Sequence, residues 1–451
     1  MWTRNRGSLL AAAPVTEFTS TQAEAAILRA VQEALTATGI AHDVSRPPGR
    51  LPRVWVEPDE LDAAVAALAH APHSSPLYIL AGSRVFLPRA GRRHTPPITV
   101  FAAWASHGGD FVAGADAGIE LAAGPLGRVS VAERQPVPPG PLPIDAVYTW
   151  VDGSDPAWRA RKEERLHALS APHALHPESS NPARYEPIDE LRYSLRSLES
   201  YAPWFQSIYL VTDRQRPTWL SEDHPRLTIV DHREIFRERA ALPTFNSHAI
   251  ETQLHHINGL AEHWVYFNDD VLLGRSILPS LFFDQHGRPR VFLAPDEIDP
   301  GPPRAEDPPV VVAAKNNRAV LHRLTGRALS HKLKHVPHPQ LRSVSEELER
   351  MAREEFDRTA RSPFRDTSDI SFASSLAPLY AHATGRAILG SVDHFYADVG
   401  SPELRWRLGP LLESHAADVI CLNATSTTAS AAAERISAFL ARYFPLPSGF
   451  E

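Results

Sequence analysis

Two stretches decide the fold: Tyr148-Thr149-Trp150-Val151-Asp152-Gly153-Ser154-Asp155-Pro156 and Val265-Tyr266-Phe267-Asn268-Asp269-Asp270-Val271. Each is a short β-prone run that breaks into carboxylates, which is how an α/β sheet presents oxygen ligands at the carboxyl ends of its strands. Two such edges together suit a nucleotide diphosphate held through a hard divalent cation, Mg²⁺ or Mn²⁺, and hence a transferase acting on a phosphate-bearing donor. Asp152 and Asp155 also read as caps of a helix starting at Pro156. Asp269 and Asp270 are the stronger metal candidates, because adjacent carboxylates repel unless a cation or a positive cluster offsets them.

Around these stretches, strands alternate with helices. Strands are expected over 144–151, 208–212, 227–230 and 264–267, and helices over 188–201 and 246–257, the second capped by Asn246 or Ser247. That alternation implies an α/β core, 144–294, with a largely parallel sheet covered on both faces. The polar excursion 159–187 is longer than a connection needs and reads as an active-site lid. Asp284-Gln285-His286-Gly287 between apolar pairs marks a hairpin, and the acidic, Pro-rich stretch 295–310 reads as a mobile loop. Helices over 311–330, 344–359, 372–383 and 431–443 make residues 311–451 a mainly helical part that completes the site. Residues 1–133 read as a small α+β domain without a motif that carries chemistry. It has helices over 21–39 and 61–69 and strands over 53–56, 77–81 and 98–102, and a Pro-rich linker, 134–143, joins it to the core.

Composition narrows the partners. The 451 residues are 43% hydrophobic, enough for real cores, and the net charge is −7 from 46 basic and 53 acidic residues. That balance gives no nucleic-acid surface and no polybasic membrane arm, and it fits a neutral, polyhydroxyl acceptor. Cys421 is the only cysteine, which excludes an intrachain disulfide and a Cys-rich zinc site and is compatible with a reducing compartment. No run approaches the ~18 apolar residues of a membrane span. The basic-then-apolar start, Arg4 to Ala13, is too short for a signal peptide. A cytoplasmic protein is expected, with peripheral association at the inner face of the membrane left open.

Three clusters carry further chemistry. Arg192 and Arg196 lie on one helix face at i, i+4, able to fork onto phosphate oxygens or to form surface ion pairs. Asn246 and Ser247 open a helix whose N-terminus suits a phosphate, with Glu251 a turn later as a metal or sugar-hydroxyl ligand, or simply as a partner of the helix dipole. His331-Lys332-Leu333-Lys334-His335-Val336-Pro337-His338 has no tetrahedral zinc spacing and reads as a cationic, proton-transferring loop over a phosphate. Arg365 is a fixed positive charge that could join it.

Ile144-Asp145-Ala146-Val147-Tyr148-Thr149-Trp150-Val151-Asp152-Gly153, the block from Arg184 through Asp270 with Leu242-Pro243-Thr244-Phe245-Asn246, the His335-Val336-Pro337-His338 region and Cys421-Leu422-Asn423 resemble, in order, the four blocks of the Stealth family. That family includes bacterial capsular and exopolysaccharide phosphotransferases and the catalytic subunit of the lysosomal-enzyme N-acetylglucosamine-1-phosphotransferase. The resemblance implies transfer of a sugar 1-phosphate from a nucleotide-diphosphate sugar to a glycan hydroxyl, on a Rossmann-like, glycosyltransferase-A-like core. It places the family's functional residues at Glu251, Asp270, His335, Arg365 and, in a variable loop, Arg304. Trp150, Asp152, Gly153, Arg196 and Asn246 are the further candidates for binding substrate. The fourth block departs from the pattern: where the family usually continues Cys-Leu-Asn-Asp, this chain has Ala424.

This chemistry agrees with the residue types. Carboxylates hold the cation, arginines clamp phosphate oxygens, and one group titrating near neutrality, His335, takes the hydroxyl proton. The rival enzyme is a metal-dependent glycosyltransferase that attacks the anomeric carbon of the same donor. A rival of another class is an inactive glycan-binding protein.

Overall fold

The sheet expected from Ile144 onward forms the core of the computed structural model, which describes residues 2–5, 8–11, 20–45, 53–69, 78–79, 98–105, 111–123, 142–169, 185, 189–304, 306–327, 330–423 and 429–451. Its elements run β1 (Ile144–Thr149), α1 (Pro156–His167), α2 (Glu190–Tyr201), β2 (Ile208–Thr212), β3 (Leu227–Asp231), α3 (Ser247–Glu251) and β4 (His263–Asn268). They continue with β5 (Val271–Leu273), β6 (Leu293–Glu297), α4 (Pro309–Thr325), β7 (His331–Leu333), β8 (His338–Leu341), α5 (Arg342–Met351) and α6 (Arg353–Arg361). The last are α7 (Ala377–Ala383), β9 (His394–Asp398), α8 (Leu404–Ser414), β10 (Val419–Asn423) and α9 (Ala429–Tyr443).

The central sheet has the order β3-β2-β1-β4-β8. The first four strands are parallel and β8 is antiparallel to β4. Alternation along a strand sends side chains to opposite faces, and both faces here are apolar. Ile144, Ala146, Tyr148, Val265 and Phe267 pack into one core with Leu191, Leu195 and Leu198 of α2. Val147, Trp264 and Tyr266 pack into the other with Val344 and Leu348 of α5 and Leu379 and Tyr380 of α7. The α/β architecture with helices on both faces is as the sequence implies.

Residues 311–451 are not simply helical. They supply β7, which pairs antiparallel with β6, the edge strand β8, and the pair β9–β10 that builds a second sheet in the order β5-β10-β9. Pro339 hid β8, yet at a sheet edge its missing N–H costs no ladder bond. The helix expected over 344–359 breaks at Ala352 (φ −116°, ψ 38°) into α5 and α6. The helix expected over 246–257 stops at Glu251 and resumes as a 3₁₀ turn, Leu254–His256.

Described residues of the segment expected as a mobile loop, 295–310, make contacts with α4. Lys315 on α4 is buried and donates to Asp299 (2.8 Å), Asp307 (2.7 Å) and the Pro302 carbonyl (3.2 Å). Arg318, one turn on, donates to the Asp299, Pro300 and Gly301 carbonyls.

Ahead of the core lies an α+β unit. Helices Ser20–Ala37 and Leu61–Ala69 accompany a five-stranded sheet in the order Asp43–Ser45, Arg53–Val56, Phe111–Ala123, Ile98–Ala105, Tyr78–Ile79. Most of the expected linker, most of the expected lid and Ala424 lie outside the described residues. Among the described residues no helix is long and apolar enough to cross a membrane.

Candidate active site

The register of β1 against β4, Ile144↔His263 through Thr149↔Asn268, ends both strands level. Trp150–Gly153 and Asp269–Asp270 therefore leave the sheet side by side. β8 runs the other way, with His338 opposite Tyr266, so the residues before it arrive from beyond the carboxyl end of β4. That brings His335 to Asp270, with Nε2 3.4 Å from Oδ2. The β5–β10 pairing sets Cys421 opposite Val271, and the Cys421 thiol donates to the same Oδ2 at 3.5 Å. Asp270 Oδ1 is buried and has no hydrogen-bond partner among the described residues.

Glu251 and Arg365 approach from other segments. Glu251 is buried at the end of α3, where its Oε2 accepts from the Ser374 N–H (3.0 Å) and hydroxyl (2.7 Å). Arg365 donates from Nη2 to the Ser247 hydroxyl at 2.9 Å. Both act on His335. Burial of the ring works to lower its pKa, but the Asp270 carboxylate and, further off, Glu251 outweigh this and raise it, with Arg365 opposing them. Burial pushes His338, three residues on, down to about 3, so the expected cationic run contains one neutral imidazole.

Burial, then the Asp270 and Glu190 carboxylates, push the Asp269 carboxyl well above the usual range. Burial and the Asp270 charge likewise raise the Cys421 thiol, which donates to Asp270. Uncompensated negative charge and an orphaned, buried carboxylate oxygen fit an oxygen-seeking cation such as Mg²⁺ or Mn²⁺ on Asp270 and Asp269.

The other candidates divide. Trp150 packs against the core below the strand ends. Asp152 caps its own turn, with Oδ1 accepting from the Ser154 N–H at 2.8 Å. Gly153 is required by close approach: its N–H donates to the Tyr185 carbonyl at 2.7 Å, and a methyl there would lie 2.6 Å from Tyr185 Cβ. Asp155 is the N-cap of α1, accepting from the Ala157 N–H at 2.8 Å and from Gln215 at 3.0 Å.

Two further candidates are held by contacts within the protein. Asn246 is fully buried and committed: it accepts from the His248 N–H (3.1 Å) and donates to Asp369 Oδ2 (2.8 Å) and to the Ser362 (3.2 Å) and Phe364 (3.3 Å) carbonyls. It holds the loop that carries Arg365. Arg196 is also spent, with Nε and Nη2 forking onto Glu451 at 2.7 Å each and Nη1 on the Phe444 carbonyl at 2.9 Å. Arg304 is exposed in the segment before α4, where its N–H donates to Asp307; no contact among the described residues ties it to Asp270 or His335. Sequence reasoning did not single out Ser374 or Tyr396. The Tyr396 ring meets His335 edge-on at 6.5 Å, and its hydroxyl accepts from Asn423.

Models of the Stealth protein conserved regions match residues 142–170 (region 1), 184–291 (region 2) and 334–382 (region 3), and these segments carry all four of Asp270, His335, Glu251 and Arg365. The chain belongs to the Stealth family. It is 50% identical over 315 residues to an exopolysaccharide phosphotransferase of Streptomyces coelicolor, covering 69% of this chain and 52% of the relative. A Mycobacterium tuberculosis exopolysaccharide phosphotransferase is 42% identical over 313 residues, covering 68% and 58%. The chain thus spans about half the length of these curated relatives. Among solved structures, the galactosyltransferase LgtC aligns at 12% identity with a TM-score of 0.31, over 66% of this chain and 95% of that one. Mouse xyloside xylosyltransferase 1 aligns at 10% identity and 0.31, over 63% and 98%, and likenesses this distant carry no inference.

Proposed function

We propose that this Stealth protein transfers a sugar 1-phosphate from a nucleotide-diphosphate sugar to a hydroxyl of a glycan, in exopolysaccharide or capsule synthesis, on a glycosyltransferase-A-like core. The observation that carries the reading is the meeting of His335 with Asp270 at the carboxyl end of β4, within the electrostatic reach of Glu251 and Arg365. A titratable base, a carboxylate with an oxygen to spare and a fixed guanidinium are what phosphoryl transfer requires. The relatives' printed names, exopolysaccharide phosphotransferases, support the same class.

In this reading the acceptor hydroxyl attacks the β-phosphorus. Its O–P bond forms as the bond from that phosphorus to the bridging oxygen of the α-phosphate breaks, and a nucleoside monophosphate leaves. Neutral His335, with Nε2–H directed at Asp270, takes the hydroxyl proton at Nδ1, and Asp270 holds the resulting imidazolium. Arg365 neutralises the phosphoryl oxygens, while Glu251, fixed by Ser374, orients sugar hydroxyls or extends the cation site. Mg²⁺ or Mn²⁺ held by Asp270 with Asp269 would supply charge neutralisation on the diphosphate. In this reading the protein works in the cytoplasm.

Incubation with a panel of nucleotide sugars, a glycan acceptor and Mg²⁺ or Mn²⁺ tests the reading. Release of the nucleoside monophosphate supports it, and release of the diphosphate favours a glycosyltransferase. Acceptor binding without donor consumption favours an inactive glycan-binding protein.

A further inference from the structure

Two adjacent histidines and a buried glutamate converge away from this site. His255 and His256, in the 3₁₀ turn after α3, point Nε2 at one oxygen, Oε2 of Glu349 on α5, from 2.9 and 3.0 Å. Glu349 is only 3% exposed. His256 Nδ1 lies 3.0 Å from the Ile235 carbonyl, which can only accept, so Nδ1 carries a proton. The ring's remaining nitrogen, Nε2, faces a carboxylate oxygen at 3.0 Å, a contact that takes a positive centre, either a second ring proton or a metal ion.

The surroundings favour a metal ion as that centre. The two Nε2 atoms and a carboxylate oxygen all lie within 4.8 Å of one another. The Ile235 carbonyl fixes the His256 tautomer from behind, as partners of metal-bound histidines do. Oε1 of Glu349 is oriented by Arg237 (2.9 Å) and Arg353 (3.3 Å), leaving Oε2 for the centre. The three residues line a cavity of about 650 Å³, which gives an ion entry and room for a water.

We infer that His255, His256 and Glu349 form a second metal site, suited to Zn²⁺, with two nitrogens, one oxygen and an open fourth position facing the cavity. Its donors are softer than the carboxylates Asp269 and Asp270, so the two sites select different ions. The ion braces the turn four residues beyond Glu251 to the helix that follows β8, joining the segments that carry Glu251 and His335.

The chain, stripped by chelator and dialysed against Zn²⁺, is expected to retain a single equivalent that Asp270→Asn leaves in place and that His256→Gln weakens by about 100-fold or more. Substitution with Co²⁺ is expected to give the intense visible bands of a tetrahedral ion without a sulfur charge-transfer band, which separates this site from the group that contains Cys421. The Co²⁺ readout uses the unaltered chain and holds even where His256→Gln fails to fold. No Zn²⁺ retained, a cobalt spectrum with sulfur ligation, or retention unchanged in folded His256→Gln and Glu349→Gln would each overturn the inference.

Discussion

His335 Nε2 and Asp270 Oδ2 stand 3.4 Å apart across the carboxyl end of β4, and the pairing sets the pH behaviour of the site. Burial alone would lower the His335 pKa, yet Asp270 and Glu251 raise it above the ordinary ~6.5. A base must start neutral, so activity is expected to rise with pH through that raised value, and His335→Gln to lose the acid limb with most of kcat. Stability runs the opposite way. A raised folded-state pKa contributes stability that is fully present below the unfolded value and is lost as pH climbs through the folded one. The melting-temperature gap between wild type and His335→Gln, measured without divalent cation, is therefore expected to be wider near pH ~5.5 than near ~8.5. A gap that grows with pH contradicts the pairing.

Asp270→Asn keeps the shape at the strand end and removes the charge. A loss of ~10²-fold or more in kcat is expected, on the scale of one electrostatic contact in a reacting site, with the fold intact by circular dichroism. Turnover within about threefold of wild type contradicts a role for this carboxylate in holding a cation or the base.

Arg365→Lys tests the fork. A lysine ammonium keeps the charge but cannot supply two parallel donors to a phosphoryl group, so kcat is expected to fall by at least about tenfold with donor binding less affected. Near-normal steady-state kinetics would reduce Arg365 to a residue that orients Ser247, which it contacts at 2.9 Å.

Arg196→Ala separates a structural arginine from a catalytic one. Arg196 is fixed by two bonds of 2.7 Å to Glu451. Loss of this partly buried fork is expected to cost on the order of 2 kcal/mol in denaturant unfolding, with kcat held within about threefold. A catalytic defect without destabilisation would return Arg196 to the donor site.

What the sequence revealed follows the range of each interaction. The acidic strand ends and the alternating core were legible because hydrophobic period and strand-end carboxylates are local signals. The capping role of Asp155 was legible for the same reason, since Pro156 follows it. The Arg196–Glu451 fork joins residues 255 positions apart, and no local pattern announces it. Asn246 looked like a phosphate ligand because its cap position was visible, while Asp369 and the two carbonyls that consume its side chain were not. Cys421 reaches Asp270 only through the pairing of β5 with β10, a register that periodicity does not fix. The His255–His256–Glu349 group depends on a 3₁₀ turn where a continuous helix was expected, which turns both rings toward α5.

The most direct measurement follows one oxygen atom. A nucleotide-diphosphate sugar is labelled with ¹⁸O at the oxygen bridging the anomeric carbon and the β-phosphorus, turned over with a glycan acceptor, and its products are weighed by mass spectrometry. Attack at phosphorus, with His335 as base, leaves that bond whole, so the label is expected in the glycan phosphodiester and absent from the released nucleotide. Label recovered in a nucleoside diphosphate means that the carbon–oxygen bond broke, and it contradicts phosphoryl transfer at Asp270 and His335.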